Sequence, residues 1–395
     1  MKTDGNKNLL ILAFTLVIVT LGFGLAMPIL PFYMEHFGAG GTELGLLMAS
    51  YAVMRLIFGP IWGGISDKLG RKPVLMVGIL GYGIAMIGFG LATRLWMLFA
   101  ARILSGVLSS ATSPTTMAYV TDTTAEEDRS RGLGLLGAAG GVGAIFGPAL
   151  GGLLAEISLP TPFFTAAGLS FLALLLILIL LPETLTPQER VTEKSGKPVF
   201  DLHAWWQALF SPMGPLLLQT FLSTGAVMVM YGILGLYALE VFQSGTDEVG
   251  WIFTVLGLVT ALGQGVMIGP VTKKLGDRMV IRLGFIFSAI GLPLILLAGD
   301  YIQLLVLIGL FSLMSALLIP SITALTSKYS QISQGVTMGL SNSFVSLGRI
   351  AGPLLGGLLF DIDKGLPFWV GGAVMAVGVL VSFHVREKAP ANSVG

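Results

Sequence analysis

The sequence predicts an all-α integral membrane protein with twelve transmembrane helices in two pseudo-symmetric six-helix bundles. Three observations support this prediction. The chain of 395 residues is 54% hydrophobic and 11% charged, with a mean hydropathy of +0.87, a composition that argues against a water-soluble domain. Apolar stretches of 20 or more residues recur along its whole length. Blocks of the first half also return in the second half.

Each apolar stretch is long enough to form a helix that crosses about 30 Å of hydrocarbon, at about 1.5 Å per residue. Helices are expected because lipid cannot hydrogen-bond an exposed backbone. The twelve predicted spans are 8–33, 43–66, 73–93, 95–120, 132–156, 162–182, 212–239, 247–271, 279–299, 301–327, 334–360 and 366–385.

The basic residues are distributed unevenly between the two faces of the predicted membrane region. Of the 22 Lys and Arg residues, only Arg94 and Lys364 fall in loops at one face. Arg55, Arg102 and Arg349 lie in mid-span, and the others lie at or near the opposite face. The positive-inside rule makes that opposite face cytoplasmic and places both termini there. We therefore expect a multi-pass protein of the inner (cytoplasmic) membrane. Its first helix is expected to be retained, because it is too long for a signal-peptide core.

One extended polar interruption, PETLTPQERVTEKSGKPVFDLHAWWQALF, divides the chain. It predicts an N-terminal bundle over 1–182, a cytoplasmic linker over 183–211 and a C-terminal bundle over 212–395. The linker ends in an amphipathic segment, and we expect Trp205 and Trp206 to lie on the membrane surface.

The two halves repeat each other at an offset of 206 residues. DKLGRKPVLMVG (67–78) matches KKLGDRMVIRLG (273–284), and SPTTMAYVTD (113–122) matches IPSITALTSK (319–328). Six spans in each half give both copies the same orientation in the membrane. Parallel repeats of this kind predict a transport site at the midplane, opened alternately to each side.

The loop after the second span reads GGISDKLGRKP. It resembles the signature loop of the major facilitator superfamily, G-x-x-x-D-[RK]-x-G-R-[RK], at every position, and the resemblance covers essentially the whole chain. It implies the twelve-helix major facilitator fold and a cytoplasmic latch in this loop. In that latch Asp67 would face the positive N-terminal end of the eleventh helix, and Arg71 would pair with Asp122. The latch residues are Gly63, Asp67, Arg71, Lys72 and Asp122.

A glycine–proline pattern in the fifth span resembles the motif typical of the superfamily's antiporters, so the resemblance implies export. Small residues four apart allow close approach of helices, and proline permits a bend. The motif residues are Gly134, Gly143, Gly147, Pro148, Gly151 and Gly152. A second copy lies in the eleventh span at Gly339, Gly348, Gly352, Pro353, Gly356 and Gly357.

Two further segments are similar to drug exporters. LGFGLAMPILP in the first span resembles a signature of those proteins, and Arg102 fits a fourth-helix motif whose arginine takes part in proton transfer. Within the superfamily the chain resembles the twelve-helix drug:proton antiporters, among them bacterial tetracycline exporters and quinolone/multidrug exporters. The alternative for Arg102 is a structural role, in which it hydrogen-bonds neighbouring backbone.

The acidic residues depart from that resemblance. All 21 lie in loops or near predicted helix ends, whereas the exporters have mid-membrane carboxylates, the usual proton carriers and partners of cationic drugs. The proton-coupling candidates are therefore Arg102, Glu35 and Asp122. The alternative for the two carboxylates is that they are solvated surface side chains.

Two arginines lie in mid-span instead. Arg55 lies about 18 Å from the cytoplasmic end of its helix, and Arg349 lies at a similar depth in the eleventh span. They predict an anionic or zwitterionic group on the substrate, with capping of nearby carbonyls or polar side chains as the alternative. In the family's fold the cavity would also include residues from the fourth, seventh and tenth helices. Those residues are Ser113, Tyr231, Gln219 and Phe311.

The function predicted is secondary active export of amphipathic small molecules, such as drugs and antibiotics, coupled to protons by alternating access. One alternative is a facilitator or importer of a small polar or anionic metabolite, and another is a non-transporting membrane sensor. No enzyme, cofactor, metal or nucleic-acid partner is expected, because there is no cysteine and the three histidines form no catalytic or metal set. We expect a functional monomer in a lipid bilayer.

Overall fold

The computed structural model describes residues 2–185, 210–211, 213–329 and 334–384, and these residues are largely helical. Eleven of their helices are long and apolar enough to cross a membrane, and a twelfth apolar helix has 17 residues. The twelve are α1 Asn8–His36, α2 Gly41–Leu69, α3 Arg71–Gly90, α4 Leu95–Thr123, α5 Arg131–Ile157, α6 Thr161–Leu180, α7 Gly214–Phe242, α8 Thr246–Leu275, α9 Asp277–Leu297, α10 Tyr301–Tyr329, α11 Gly335–Ile362 and α12 Leu366–Ser382. The predicted all-α membrane fold is confirmed.

Prolines interrupt two of these helices at equivalent places. Within α4, one helical segment ends at Ser109 and the next begins at Thr112, and Pro114 follows four residues after Ser110. Within α10, the first segment ends at Ala316, four residues before Pro320. Proline lacks an N–H and its ring clashes with the carbonyl four residues earlier, so each break falls where that carbonyl stands.

The chain divides into two compact units. Unit 1 comprises Met1–Val199 and Gly235–Gly257, and unit 2 comprises Phe200–Leu234 and Leu258–Gly395. The end of α7 and the start of α8 therefore belong with the first six helices. The predicted bundle boundaries remain a prediction. Most of the predicted linker, Trp205 and Trp206 included, lies outside the described residues.

The core of unit 1 lies among α1, α3, α4, α5 and α6. Buried side chains from these helices form one hydrophobic cluster, which includes Leu12, Ile79, Tyr119, Leu136 and Ile177. Other large apolar side chains point outward, as expected for helices surrounded by lipid rather than water.

Candidate functional site

Arg71, which is buried, is the centre of a polar cluster at one end of unit 1, which we call the Arg71 cluster. Its Nε donates to Asp122 Oδ2 at 2.9 Å. Its Nη1 donates to Asp67 Oδ1 at 2.5 Å and to Ser66 Oγ at 2.7 Å. These bonds join the end of α2, the start of α3 and the end of α4. The structure thus brings Asp67, Arg71 and Asp122 together.

Glu183 is a further member of the Arg71 cluster that the sequence motif did not indicate. Its carboxylate accepts the backbone N–H of Arg71 at 2.9 Å and that of Lys72 at 3.2 Å. Gly70, with φ +108°, leaves the space that this carboxylate fills, since an added Cβ would overlap it. A cation is unfavourable at a helix N-terminus, so Glu183 offsets the placement of Arg71 there. Lys72 Nζ donates to the carbonyl of Leu178 at 2.8 Å.

Unit 2 contains the same ion pair with the charges exchanged. Lys328 Nζ lies 2.5 Å from Asp277 Oδ2, and these residues stand 206 positions after Asp122 and Arg71 in the repeat. Asp277 begins α9, where a carboxylate is favourable at the helix N-terminus. An ion pair therefore joins these two repeat positions in both halves, but the basic and the acidic residue have exchanged places.

The glycines of the fifth-helix motif allow α5 to contact α1 through the backbone. A Cβ at Gly147 would lie 2.7 Å from Gly24 Cα, and one at Gly143 would overlap Thr20. In unit 2, a Cβ at Gly352 would lie 2.5 Å from Met228 Cβ on α7. Both copies of the motif thus bring two helices of one unit into close contact. The glycines with such contacts are Gly143, Gly147, Gly151, Gly348, Gly352 and Gly356.

The other side of α5 contacts the start of α8 within unit 1. Thr246 Oγ1 donates to the carbonyl of Gly152 at 3.0 Å, and a Cβ at Gly250 would lie 2.6 Å from the carbonyl oxygen of Pro148. By contrast, a Cβ at Gly134 or at Gly339 would meet no described atom within 4 Å. The first glycine of each copy therefore plays no part in these helix contacts.

A cavity of about 470 Å³ lies inside unit 1, within the size range of small-molecule sites. Its lining is mainly apolar, with hydroxyl groups, three aromatic rings and one charged side chain. The lining residues are Leu16, Val19, Thr20, Phe23, Tyr51, Arg55, Tyr82, Ser109, Thr112, Ser113, Thr116, Met117, Leu133, Leu136, Gly137, Gly140 and Ala144.

Tyr51 on α2 is the meeting point of two arginines beside this cavity. The guanidinium carbon of Arg102 lies 4.6 Å from the centroid of the Tyr51 ring, and that of Arg55 lies 5.7 Å from it. The Tyr51 hydroxyl lies 3.3 Å from Ser109 Oγ. Arg102 is only 3% exposed, and its Nε has no hydrogen-bond partner in the described part of the chain. The ring face therefore stabilises a buried cation.

Comparison with known proteins identifies the family. A family model described as Major Facilitator Superfamily matches residues 12–245 and 216–395. The chain belongs to the major facilitator superfamily. Multidrug resistance protein 1 of Bacillus subtilis (strain 168) is 30% identical to it over 388 residues, which cover 98% of each chain. Quinolone resistance protein NorA of Staphylococcus aureus (strain COL) is 26% identical over 378 residues, covering 95% of this chain and 96% of the relative.

A solved structure shows that the superfamily fold is shared along the chain. A bacterial homologue of the human lysosomal transporter Spinster has a TM-score of 0.80 at 13% identity, covering 97% of this chain and 98% of that one. With the membrane-spanning helices, these findings make the protein a multi-pass membrane transporter.

The structure separates the predicted substrate-binding residues of this facilitator-superfamily transporter into different settings. Arg55 and Ser113 line the cavity in unit 1. Gln219 is fully buried in unit 2, where its Nε2 donates to the carbonyl of Gly378 at 3.3 Å. Phe311 is buried in unit 2, against the position of Gly291. The remaining two, also in unit 2, are Tyr231, half-buried on α7, and Arg349, exposed on α11.

The predicted proton-coupling residues of the transporter lie in three separate places. Glu35 is exposed at the end of α1, Asp122 belongs to the Arg71 cluster, and Arg102 is buried beside Tyr51. Within the described ranges, no hydrogen bond or ion pair joins any two of them. From the sequence, Tyr51 was expected only as a polar partner of a mid-span arginine, although it precedes Arg55 by one helical turn, a spacing that places both on one face. Tyr82 was missed.

Proposed function

We propose that the transporter exports amphipathic small molecules, drugs and antibiotics included, in exchange for protons by alternating access. The observation that carries the proposal is the near full-length similarity to Multidrug resistance protein 1 and to quinolone resistance protein NorA. We place the transporter in the inner membrane with both termini in the cytoplasm, as the distribution of Lys and Arg predicts.

The cavity in unit 1 supports a substrate that is amphipathic and of drug size. Its walls combine aliphatic side chains with the rings of Phe23, Tyr51 and Tyr82, which suit planar apolar groups. Ser109, Ser113 and other hydroxyls offer a few polar contacts, the usual composition of a small-molecule site. We assign Arg55 and Ser113 to substrate binding. The unit 2 residues Arg349, Tyr231, Gln219 and Phe311 remain predicted contributors.

The Arg71 cluster supports a conformational latch. Its bonds are made by side chains at the ends of three helices. Both carboxylate partners of Arg71 are partly exposed, Asp67 at 45% and Asp122 at 25%, so water can replace Arg71 as their hydrogen-bond partner. These bonds can therefore be broken and remade during a transport cycle. We assign this role to Gly63, Asp67, Arg71, Lys72 and Asp122.

We assign proton coupling to Arg102, Glu35 and Asp122. We assign sealing of the cavity to the two glycine motifs.

Transport by the purified protein tests the proposal. The protein is reconstituted in liposomes with a pH-sensitive dye inside, and norfloxacin, which carries a carboxylate, is added against an imposed proton gradient. We expect substrate accumulation that moves protons in the opposite direction and stops when nigericin collapses the gradient. Protein-free liposomes are the control. Movement of substrate only down its own gradient, unaffected by nigericin, would identify a facilitator instead.

A further inference from the structure

The charge of the unit 1 cavity indicates which substrates it favours. Arg55 is the one charged side chain among the seventeen residues that line it, all of which the structure describes. A second cation, Arg102, lies behind Tyr51 on the same wall. Neither arginine has an ion-pair partner among the described residues, so both positive charges act on the cavity without a carboxylate to offset them.

Positive charge away from water is costly unless a partner compensates it. An anion placed near Arg55 would supply that compensation, whereas a cation in the same place would be repelled by both guanidinium groups. Arginine also offers parallel N–H donors that match the two oxygens of a carboxylate. The electrostatics of this cavity are therefore suited to an anionic group.

The remaining lining is suited to an aromatic body attached to that group. The rings of Phe23 and Tyr51 lie 5.8 Å apart between centroids, at 36° to each other, and Tyr82 adds a third ring to the wall. The hydroxyls of Tyr82 and Thr112 have no hydrogen-bond partner within the described part of the chain. Both oxygens are shielded from the cavity, so the three rings, and not these hydroxyls, provide the surface on which an aromatic group can stack.

We propose that unit 1 binds the anionic end of the substrate at Arg55 and that the favoured cargo is an amphipathic aromatic anion, an aryl carboxylate by class. Arg102 acts as a positioning residue: through the Tyr51 ring it holds positive charge next to the site without lining it. This inference rests on the proposed export function and specifies its substrate class.

Binding of three matched fluorescent probes tests the charge preference. Dansylglycine is an anion, dansylglycinamide is neutral, and dansyl-ethylenediamine is a cation, and all three carry the same aromatic group. We expect the purified protein to bind the anion at least about tenfold more tightly than the neutral probe, as a charge-assisted hydrogen bond provides. The cation should bind more weakly than the neutral probe. Equal or tighter binding of the cation would overturn the proposal.

Substitution of Arg55 assigns the preference to that residue. Arg55→Gln should weaken dansylglycine binding about tenfold or more and leave dansylglycinamide binding within about threefold. Arg55→Lys should keep the sign of the preference, because it keeps the charge. Arg94→Gln is the matched control, since Arg94 is exposed and does not line the cavity. If Arg55→Gln, with an unchanged melting temperature, bound dansylglycine as the wild type does, the assignment would be wrong.

The probe experiment and the transport experiment can fail separately. Binding of dansylglycine by purified protein requires no gradient, so an anion preference lost in Arg55→Gln supports the site even if no export is found. Proton-driven export of ethidium that persists in Arg55→Gln, together with no anion preference in binding, would keep the export function and reject the aromatic anion as its cargo.

Discussion

Arg102 shows how a single residue can keep a charge inside a membrane protein without an acidic partner. Its guanidinium lies over the Tyr51 ring at 4.6 Å from the centroid and is almost fully buried. A cation over a ring face gains about 2 kcal/mol when both are desolvated. Gly106 allows this approach, because a Cβ there would lie 2.7 Å from Met54 Cβ. The backbone of α4 can therefore come close to α2, and Arg102 reaches Tyr51.

Replacing Tyr51 separates the contribution of the ring from that of its hydroxyl. Tyr51→Leu should lower the melting temperature of the purified protein, because Arg102 loses the ring face and stays buried. Tyr51→Phe keeps the face and loses the contacts of the hydroxyl with Ser109 and Arg55, so it should melt close to the wild type. Equal destabilisation by the two substitutions would show that the hydroxyl, and not the ring, stabilises Arg102.

Glycines within one motif should differ in their tolerance of a methyl group. Gly147→Ala places a Cβ 2.7 Å from Gly24 Cα and 2.8 Å from the carbonyl oxygen of Leu21. Overpacking of this kind costs about 1–3 kcal/mol, so the melting temperature and the yield of folded protein should fall. Gly134→Ala is the control, because it meets no described atom within 4 Å. A loss of stability as large in Gly134→Ala would contradict the packing seen between α1 and α5.

At the scale of helices, α3 and α9 obtain negative charge at their N-terminal ends in different ways. α9 begins with Asp277, which itself supplies the negative charge that a helix N-terminus favours. α3 begins with Arg71, and the carboxylate of Glu183 supplies that charge from outside the helix. In the described part of the chain, the exchange of the two charges between the halves therefore goes together with recruitment of Glu183 to the start of α3.

The two ion pairs should differ in strength because they differ in exposure. The side chains of Arg71 and Asp122 are 10% and 25% exposed, whereas those of Lys328 and Asp277 are 65% and 14% exposed. Double-mutant cycles on the melting temperature, with Arg71→Gln and Asp122→Asn or with Asp277→Asn and Lys328→Gln, measure each coupling. The exposed pair should contribute at most about 1 kcal/mol and lose most of it in 1 M salt, where the screening length is about 3 Å.

The Arg71 pair should couple more strongly and change less with salt, because its cation is buried. A coupling between Asp277 and Lys328 that equals the Arg71 coupling in 1 M salt would contradict this difference. The cycles compare each double variant with its two single variants, so changes at the other contacts of Lys328 or Arg71 cancel.

The sequence predicts the helices themselves, but it does not predict which side chains they bring into contact. Long apolar stretches fixed all twelve spans to within a few residues, because each must cross the same hydrocarbon thickness. The inward faces could not be predicted, since these helices are apolar nearly all round and have no polar stripe to mark the outside. The pairing of Arg102 with Tyr51 and the reach of Glu183 to α3 therefore became visible only in three dimensions.

At the scale of the whole molecule, the sequence repeat corresponds to a repeat of packing. Each unit has one helix whose glycines contact the backbone of another, α5 with α1 in unit 1 and α11 with α7 in unit 2. Each also has an ion pair between a helix start and the end of a proline-broken helix. Two compact units with the same internal contacts are what the proposed alternating access needs, because the moving parts are then whole bundles.

Coupling of substrate export to protons is measured most directly by opposing the two gradients in reconstituted liposomes. With a fixed pH difference imposed, the substrate gradient is varied until net substrate flux is zero. Proton-coupled antiport predicts that zero flux occurs at a substrate gradient that the pH difference balances, and that reversing the pH difference reverses the direction of transport. Zero flux only at equal substrate concentrations on both sides, whatever the pH difference, would contradict it.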